Sequence, residues 1–338
     1  LDDAERDGDP VRAVIRASGI NYDGRTNGIT APSSVSQARL LRGVYERYRI
    51  DPASIDLLVA HGTGTLLGDP VELEALADVF GPHSGDSRSP RCALISTKSQ
   101  FGHTFAASGL VSLAALVQSM AKRTLPASLH CEEPNQHLEW SSLPFEVNRN
   151  PRDWREILGR SRRGAVSAFG VSGTNAHVVV DEPPIRAHED AAPDQHVLLV
   201  LSAKTETALR SRAERLADAL VGTDGPALAA VSLTLLTGRQ HFRRRLALRV
   251  DSRAQAVVAL RALARGEHVD GVRQGELGRD RPAANSERDA LHRNMAAVAA
   301  DDTLDRRATL DEIARCFCAG VDADWGLLFG SNPPRRVS

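Results

Sequence analysis

The sequence predicts a layered α/β lobe with a mostly parallel sheet, followed by a second, smaller α/β unit. Three observations carry this. Short apolar strands alternate with helix-length amphipathic stretches between residues 11 and 182. The stretch 106–122 is apolar almost all round, as befits a helix buried between layers. At 183–195 (PPIRAHEDAAPDQ) the composition turns to Pro, Ala and charge, which reads as a linker, and a fresh strand–helix series begins after it.

Residues 11–18 (VRAVIRAS) alternate apolar and polar side chains and read as a strand. Gly19, Asn21, Asp23, Gly24, Asn27 and Gly28 mark a turn-rich loop. A helix starts at about Ser34, capped by Ser34 or Ser36, with an apolar stripe of Ala38, Leu41, Val44 and Tyr48. Ser54-Ile55-Asp56 leads into an apolar strand that ends at His61. Pro70 suits the first turn of the next helix, whose apolar positions are Val71, Leu73, Leu76, Ala77 and Phe80. A loop at 81–91, a strand at 92–97, the apolar helix 106–122 and strands at 164–169 and 176–181 follow. The order β-α-β-α-β-α-β-β implies helical crossovers on a parallel sheet.

The small unit starts at strand His196–Ser202 and continues with helices 205–220 and 227–238, strand 244–250 and helix 252–265. Residues 267–300 are rich in Gly, Arg and Asp with little periodicity and read as irregular. An amphipathic helix at about 308–319 precedes Trp325 and a basic tail. The implied boundaries are 1–182 for the lobe, 183–195 for the linker, 196–266 for the small unit and 267–338 for the remainder.

Composition narrows the function classes. With 338 residues, 42% of them hydrophobic and 25% charged, the chain matches an ordinary soluble globular protein. A net charge of −1 and 4% aromatics argue against nucleic acid and against an anionic membrane as partners. No run reaches the ~18 consecutive apolar residues of a membrane span. The opening LDDAERDGDP carries neither an initiator Met nor a signal-peptide pattern, so the chain reads as a piece of something longer. Four cysteines (Cys92, Cys131, Cys316, Cys318) are too few and too unevenly spaced for a disulfide framework, which points to reduced thiols in the cytoplasm. Cys316 and Cys318 lack a second ligand pair, so no metal site is expected.

The chemistry gathers at strand ends. His61 stands at the carboxyl end of its strand, where α/β folds place ligands, between apolar residues and Gly62-Thr63-Gly64-Thr65. The glycines admit close approach and the threonines offer hydroxyls, although a tight turn with a structural histidine would give the same string. The strand at 92–97 delivers Lys98 and then His103, and a lysine near a histidine disfavours the imidazolium. Such a pair can hold an oxyanion or polarise a carbonyl; a surface lysine beside a capping histidine is the plainer alternative. The third element is AFGVSGTNAH (168–177), a glycine-rich loop between strands, which is unlike the strand-to-helix loop of a dinucleotide site.

Together these residues resemble the β-ketoacyl synthase (ketosynthase) family of the thiolase superfamily, specifically the ketosynthase domains of modular polyketide synthases. HGTGTLLGDPVE, STKSQFGHTFAASG and AVSAFGVSGTNAH match three family signatures in order and spacing, and NYDGRTNGITAP fits the preceding segment. The resemblance covers residues 10–182 and implies a thiolase-like layered half-fold, starting at the last strand of the first half. Residues 197–265 resemble the α/β linker domain that follows such ketosynthases. LDEIARCFCAGVDADWGLLFGSNPPRRVS resembles a tail that elsewhere follows an acyltransferase domain, which is similar to synthases whose acyltransferase acts in trans.

The resemblance implies a decarboxylative condensation of malonyl-acyl carrier protein with an acyl thioester on an enzyme cysteine. His61 and His103 would be the catalytic histidines, and Lys98 would keep His103 neutral and oriented. Thr63 and Thr65 would contact the phosphopantetheine arm, while Phe169 and Gly170 would line or gate the acyl pocket, with Asn175 also on the substrate side. No cofactor is expected beyond the phosphopantetheine carried by acyl carrier protein. The implied partners are that carrier protein, the amino-terminal half of the ketosynthase, neighbouring synthase domains and, when complete, a second copy. The family's nucleophile sits in a small-residue motif of the type TACSS, which no cysteine here matches, and Val59 stands where many relatives carry Glu. The nucleophile is therefore expected outside this chain, which alone would be inactive. A thiolase-like acyltransferase or a non-catalytic docking fragment of a megasynthase are the alternatives.

Overall fold

The computed structural model describes residues 1–28, 30–82, 91–133, 135–136, 138–155, 159–184, 196–222, 225–278, 285–300, 306–330, 333–334 and 336–337. They form two compact units, one spanning Val11–Ile185 and the other joining Leu1–Pro10 to Arg186–Ser338. Most of the expected linker at 183–195 and of the loop at 81–91 lies outside the described residues. Residues 1–10, expected with the lobe, belong to the second unit, where α1 (Asp2–Arg6) sits and where Asp9 takes an ion pair from Arg336 at 2.7 Å.

The lobe is built on β1 (Val14–Tyr22), α2 (Ser34–Tyr48), β2 (Leu57–Val59), α3 (Gly68–Phe80), β3 (Cys92–Ile95), α4 (Lys98–Phe101), α5 (Ser108–Lys122), β4 (Thr124–Leu125), β5 (Phe145–Val147), β6 (Arg152–Asp153), β7 (Arg163–Phe169) and β8 (Thr174–Asp181). Six strands form one sheet in the order β1-β8-β7-β2-β3-β5. The β2·β3, β2·β7 and β3·β5 pairs are parallel, and β8 joins antiparallel to β7 and β1. β1, read from the sequence as the first strand of this series and the last of a preceding half-fold, pairs along its length with β8, Val14 opposite Asp181 and Tyr22 opposite Thr174. Antiparallel pairing with a strand 150 residues downstream leaves no local trace in the sequence. Strand β5, beside β3, also escaped the sequence reading because Phe145–Val147 is too short for a periodicity.

Helices α2 and α3 cover one face of this sheet, burying Leu40, Leu41, Val44, Leu73 and Leu76 against Leu58, Leu94 and Phe145. The cap of α2 is Ser33, whose hydroxyl accepts from the Ser36 amide at 3.2 Å, rather than the expected Ser34 or Ser36. Helix α5 covers the other face with Leu116 and Met120. Residues 105–122 are long and apolar enough to cross a membrane by composition alone, and in the fold they lie on β2 and β7. At Gly164 a Cβ would stand 2.4 Å from Leu116 Cδ1 and 3.1 Å from the Leu57 carbonyl, so α5 approaches closely because β7 lacks a side chain there.

The two ends of the parallel strands differ. At the amino ends, the Asp56 carboxylate takes Arg160 Nη1 at 3.1 Å, Trp154 Nε1 at 3.3 Å and the Arg163 amide at 3.0 Å. Arg163 in turn donates to Asp181 at 2.6 Å, tying β7 to β8. In the middle, His177 is fully buried between the Tyr45 hydroxyl and Ser167 Oγ, each 3.0 Å from one ring nitrogen. Burial drives its pKa from 6.5 down to about 3.

The second unit holds β9 (Val197–Ala203), α6 (Glu206–Leu220), α7 (Leu228–Thr237), β10 (Arg244–Val250), α8 (Arg253–Ala264), β11 (Val272–Glu276), α9 (Asn285–Ala300) and α10 (Arg306–Ala319). Its antiparallel sheet runs β11-β10-β9. β9 alternates strictly: Val197, Leu199, Leu201 and Ala203 face α6 and α8, while Leu198 and Val200 face α9 and α10. Residues 267–300, read as irregular, contain β11 and α9. The apolar stripe of α9 is only Leu291, Met295 and Val298, too sparse to stand out among its Ala and charged residues.

Two consequences are measurable. At Gly275 of β11 a Cβ would come within 2.2 Å of the Cys318 carbonyl, which is backbone and cannot swing away. Gly275→Ala is expected to destabilise the second unit by about 1–3 kcal/mol, read as a lowered thermal midpoint. His177 is neutral when folded and titrates near 6.5 when unfolded, so the unfolded state binds more protons below that value. Stability from this group is therefore present above about pH 6.5 and lost as the pH falls towards 3. Urea midpoints should drop between about pH 7 and about pH 4.5, with a shallower slope in His177→Leu, which at neutral pH loses about 1–3 kcal/mol by stranding Tyr45 and Ser167.

Candidate active site

The sheet delivers three loops to the carboxyl ends of β2, β3 and β7. After β2 the chain turns through Gly62 (φ +44°) and Gly64 (φ +72°), a left-handed backbone that side chains disfavour. Gly62 also has a steric reason: a Cβ there would lie 2.8 Å from Ser96 Cβ, and Ser96 Oγ donates to the Gly62 carbonyl at 2.8 Å. The turn after β2 is thereby fastened to the one after β3.

His61 is held by its backbone and by its ring. Its amide donates to Glu72 Oε1 at 2.8 Å, the Gly62 amide donates to Glu72 Oε2 at 2.9 Å, and Lys98 Nζ donates to the His61 carbonyl. Nδ1 of the ring accepts from the Phe169 amide at 3.3 Å, with Lys98 Nζ 3.5 Å away. Burial first, then the Lys98 ammonium, then His103 lower its pKa to about 4. His103 follows Gly102 (φ +71°) and its ring meets that of His61 edge to face, centroids 5.7 Å apart. His103 Nδ1 accepts from the Phe105 amide at 3.1 Å, and the Phe105 ring stacks on it at 5.0 Å. A backbone amide only donates, so each Nδ1 is unprotonated and each proton sits on Nε2. The site therefore presents two neutral N–H donors side by side.

Lys98 was expected to serve His103; the structure sets it against His61 instead, because α4 begins directly beneath the turn that leaves β2. Thr63 and Thr65 face each other at 3.3 Å, and Thr65 Oγ1 accepts from the Gly68 amide at 2.9 Å, so one hydroxyl of the pair also supports the start of α3. Phe169 packs on His61 with centroids 5.5 Å apart, and Gly170 is exposed in a turn closed by its own amide on the Thr174 carbonyl at 2.7 Å. Asn175 departs from expectation. It is fully buried and donates to Asn21 Oδ1 at 3.2 Å and Asp23 Oδ1 at 2.7 Å, joining β8 to the end of β1 rather than facing a substrate.

Glu72 and Asp69 were not singled out from the sequence. Both lie on the first turns of α3, three residues apart, which is the signal that one helix face points at the strand end. Glu72 is buried and its pKa is raised to about 7, by desolvation before any other influence; Asp69 accepts from the Gly64 amide at 3.1 Å. With Lys98, Ser96, Cys131 and Trp140 they line a cavity of about 340 Å³. Cys131 is half-buried in that wall and Cys92 is buried in β3, with burial raising both thiols; Cys316 and Cys318 belong to the other unit. Among the described residues no group of three or more His, Cys, Asp and Glu could hold a metal ion.

Comparison with known proteins places the fold in a family. Residues 12–132 match the model of the β-ketoacyl synthase carboxy-terminal domain, and residues 197–260 match a model described as CurL-like, polyketide synthase C-terminal. The chain is 46% identical to polyketide synthase ThaG of Burkholderia thailandensis over 100% of its own length and 6% of that protein. It is 38% identical to polyketide synthase PksL of Bacillus subtilis over 100% of its length and 7% of that protein. Among solved structures it is similar to the ketosynthase from module 6 of the bacillaene synthase of Bacillus subtilis 168, with a TM-score of 0.84 and 35% identity. That likeness covers 100% of this chain and 57% of the other, so the chain spans little more than half of a solved ketosynthase. The thiolase-like fold, the two consecutive family matches and the polyketide synthase relatives lead to one conclusion: the chain belongs to the β-ketoacyl synthase family, as a ketosynthase part of a polyketide synthase.

Proposed function

We propose that the chain supplies the decarboxylation side of a ketosynthase site, which joins malonyl-acyl carrier protein to an acyl thioester held on an enzyme cysteine. The observation that carries this is the pair of imidazoles, each with Nδ1 occupied by a backbone amide and Nε2–H free. The malonyl thioester carbonyl oxygen would accept from both. Loss of carbon dioxide breaks the carbon–carboxylate bond and leaves its electron pair as an enolate, whose charge rests on that same oxygen. The enolate carbon then attacks the acyl carbonyl, forming the new carbon–carbon bond and expelling the cysteine thiolate. Neutral donors suit this sequence, since an imidazolium would give its proton to the enolate. Burial and Lys98 keep His61 neutral throughout the neutral range.

The cysteine would come from the remainder of the ketosynthase. Large apolar side chains lie open around the site, with Phe105 79% and Leu110 70% exposed, as a face awaiting a partner would have. The solved ketosynthase has a further part beyond the 57% that this chain matches. Thr63 and Thr65 would meet the phosphopantetheine arm of acyl carrier protein, and Phe169 and Gly170 would border the acyl group. We also propose that the complete domain pairs with a second copy in the cytoplasm and works with neighbouring synthase domains. Its malonyl units would be loaded by an acyltransferase acting in trans: the chain matches ThaG and PksL over its whole length, but EryA2 of Saccharopolyspora erythraea over 81% of it.

Two measurements test this. Co-expressed with the amino-terminal part of its ketosynthase, His61→Ala is expected to lower malonyl decarboxylation by at least ~100-fold while acyl loading of the cysteine persists. Normal condensation by that variant would overturn the assignment. Alone, the chain should show no stoichiometric labelling by a thioester-reactive acyl probe; full labelling of Cys131 would place a nucleophile inside it.

A further inference from the structure

Glu72 touches neither imidazole ring, yet it accounts for much of the order around one of them. Its two carboxylate oxygens accept from the consecutive amides of His61 and Gly62 at 2.8 and 2.9 Å. Lys98 takes the His61 carbonyl. Both main-chain polar groups of His61 are thus held by charged side chains from α3 and α4, at the point where the β2 ladder ends and water would ordinarily serve. Glu72 is only 4% exposed, and burying a carboxylate is a costly way to satisfy two amides. A role in fixing geometry explains it.

We propose that Glu72, acting with Lys98, is a positioning residue that fixes the backbone of His61 and so the aim of its Nε2–H, and that this clamp holds only while Glu72 is ionised. An ionised carboxylate offers acceptors to both amides. A protonated one turns one oxygen into a hydroxyl, a much poorer acceptor towards the N–H that faces it, and that bond weakens. The titratable groups around Glu72 are Asp69 on its own helix, Lys98 on α4, His61 after β2 with His103 against its ring, and His130 and Cys131 across the cavity. Desolvation raises its pKa to about 7 and Asp69 adds to this, whereas the two amides and Lys98 oppose it. The clamp therefore loosens as the pH falls through about 7, well before the His61 ring protonates near 4.

The catalytic consequence rests on the ketosynthase reading, but the clamp can be read in this chain without any turnover, so the two can fail separately. Amide and carboxyl resonances would be followed by NMR across about pH 5 to 8.5, with amide exchange measured at His61 and Gly62 and at Leu58 and Val59 as internal references. In the wild-type chain the His61 and Gly62 amides should titrate with the same midpoint as the Glu72 carboxyl, and their exchange protection should fall about tenfold below it. Glu72→Gln should show the low protection at every pH, with Leu58 and Val59 unchanged. Amides that follow the His61 ring instead, or do not titrate, would overturn the proposal in the wild-type chain alone. So would a pH step that survives in Glu72→Gln, or protection lost equally along β2, which would mark Glu72 as merely structural.

Discussion

One peptide unit concentrates the physics of this protein. His61 leaves the sheet where the β2 ladder stops, and its amide and carbonyl go to Glu72 and Lys98 rather than to another strand. Because α3 and α4 must both reach that point, the turns that carry them are constrained in turn. Gly62 has no room for a side chain beside Ser96, and Gly64 gives its amide to Asp69. The site thus inherits the rigidity of the sheet without being part of it, the arrangement that holds a reactive geometry to fractions of an ångström.

The two imidazoles then become equivalent by different routes. His61 is half-buried and kept neutral by desolvation and a nearby ammonium, with its tautomer set by the amide that ends β7. His103 is exposed, and its tautomer is set by the amide of Phe105, which itself adopts φ +47°. A left-handed non-glycine residue costs roughly 1 kcal/mol and persists where the surroundings impose it. Both rings end with Nδ1 accepting a backbone amide and Nε2 as the donor.

Elsewhere the sheet is secured by buried and part-buried polar groups that touch neither imidazole of the site. Asp56, Arg160 and Arg163 bind the opposite ends of β2, β7 and β8, and His177 bridges α2 to β7 as a neutral ring. Asn175 belongs with these, although its place in a glycine-rich motif made it look like a substrate contact. A motif marks a string of small and polar residues, but only packing tells which of its polar side chains face outward.

The sequence by itself determined the layered α/β lobe, its apolar helix at 106–122, the position of His61 just past the end of its strand, and the strands and helices of the second unit up to residue 265. These follow from period and from glycine placement, which are local. It did not show what depends on distant pairing, that β1 lies antiparallel to β8 and that residues 1–10 belong with the second unit, and it set the cap of α2 at Ser34 or Ser36 where Ser33 serves. It also misplaced Lys98, because a side chain with four rotatable carbons can serve either histidine on sequence spacing alone. Tertiary structure settled that choice by starting α4 under the His61 carbonyl, and it revealed Glu72, whose role exists only once α3 folds back onto the end of β2.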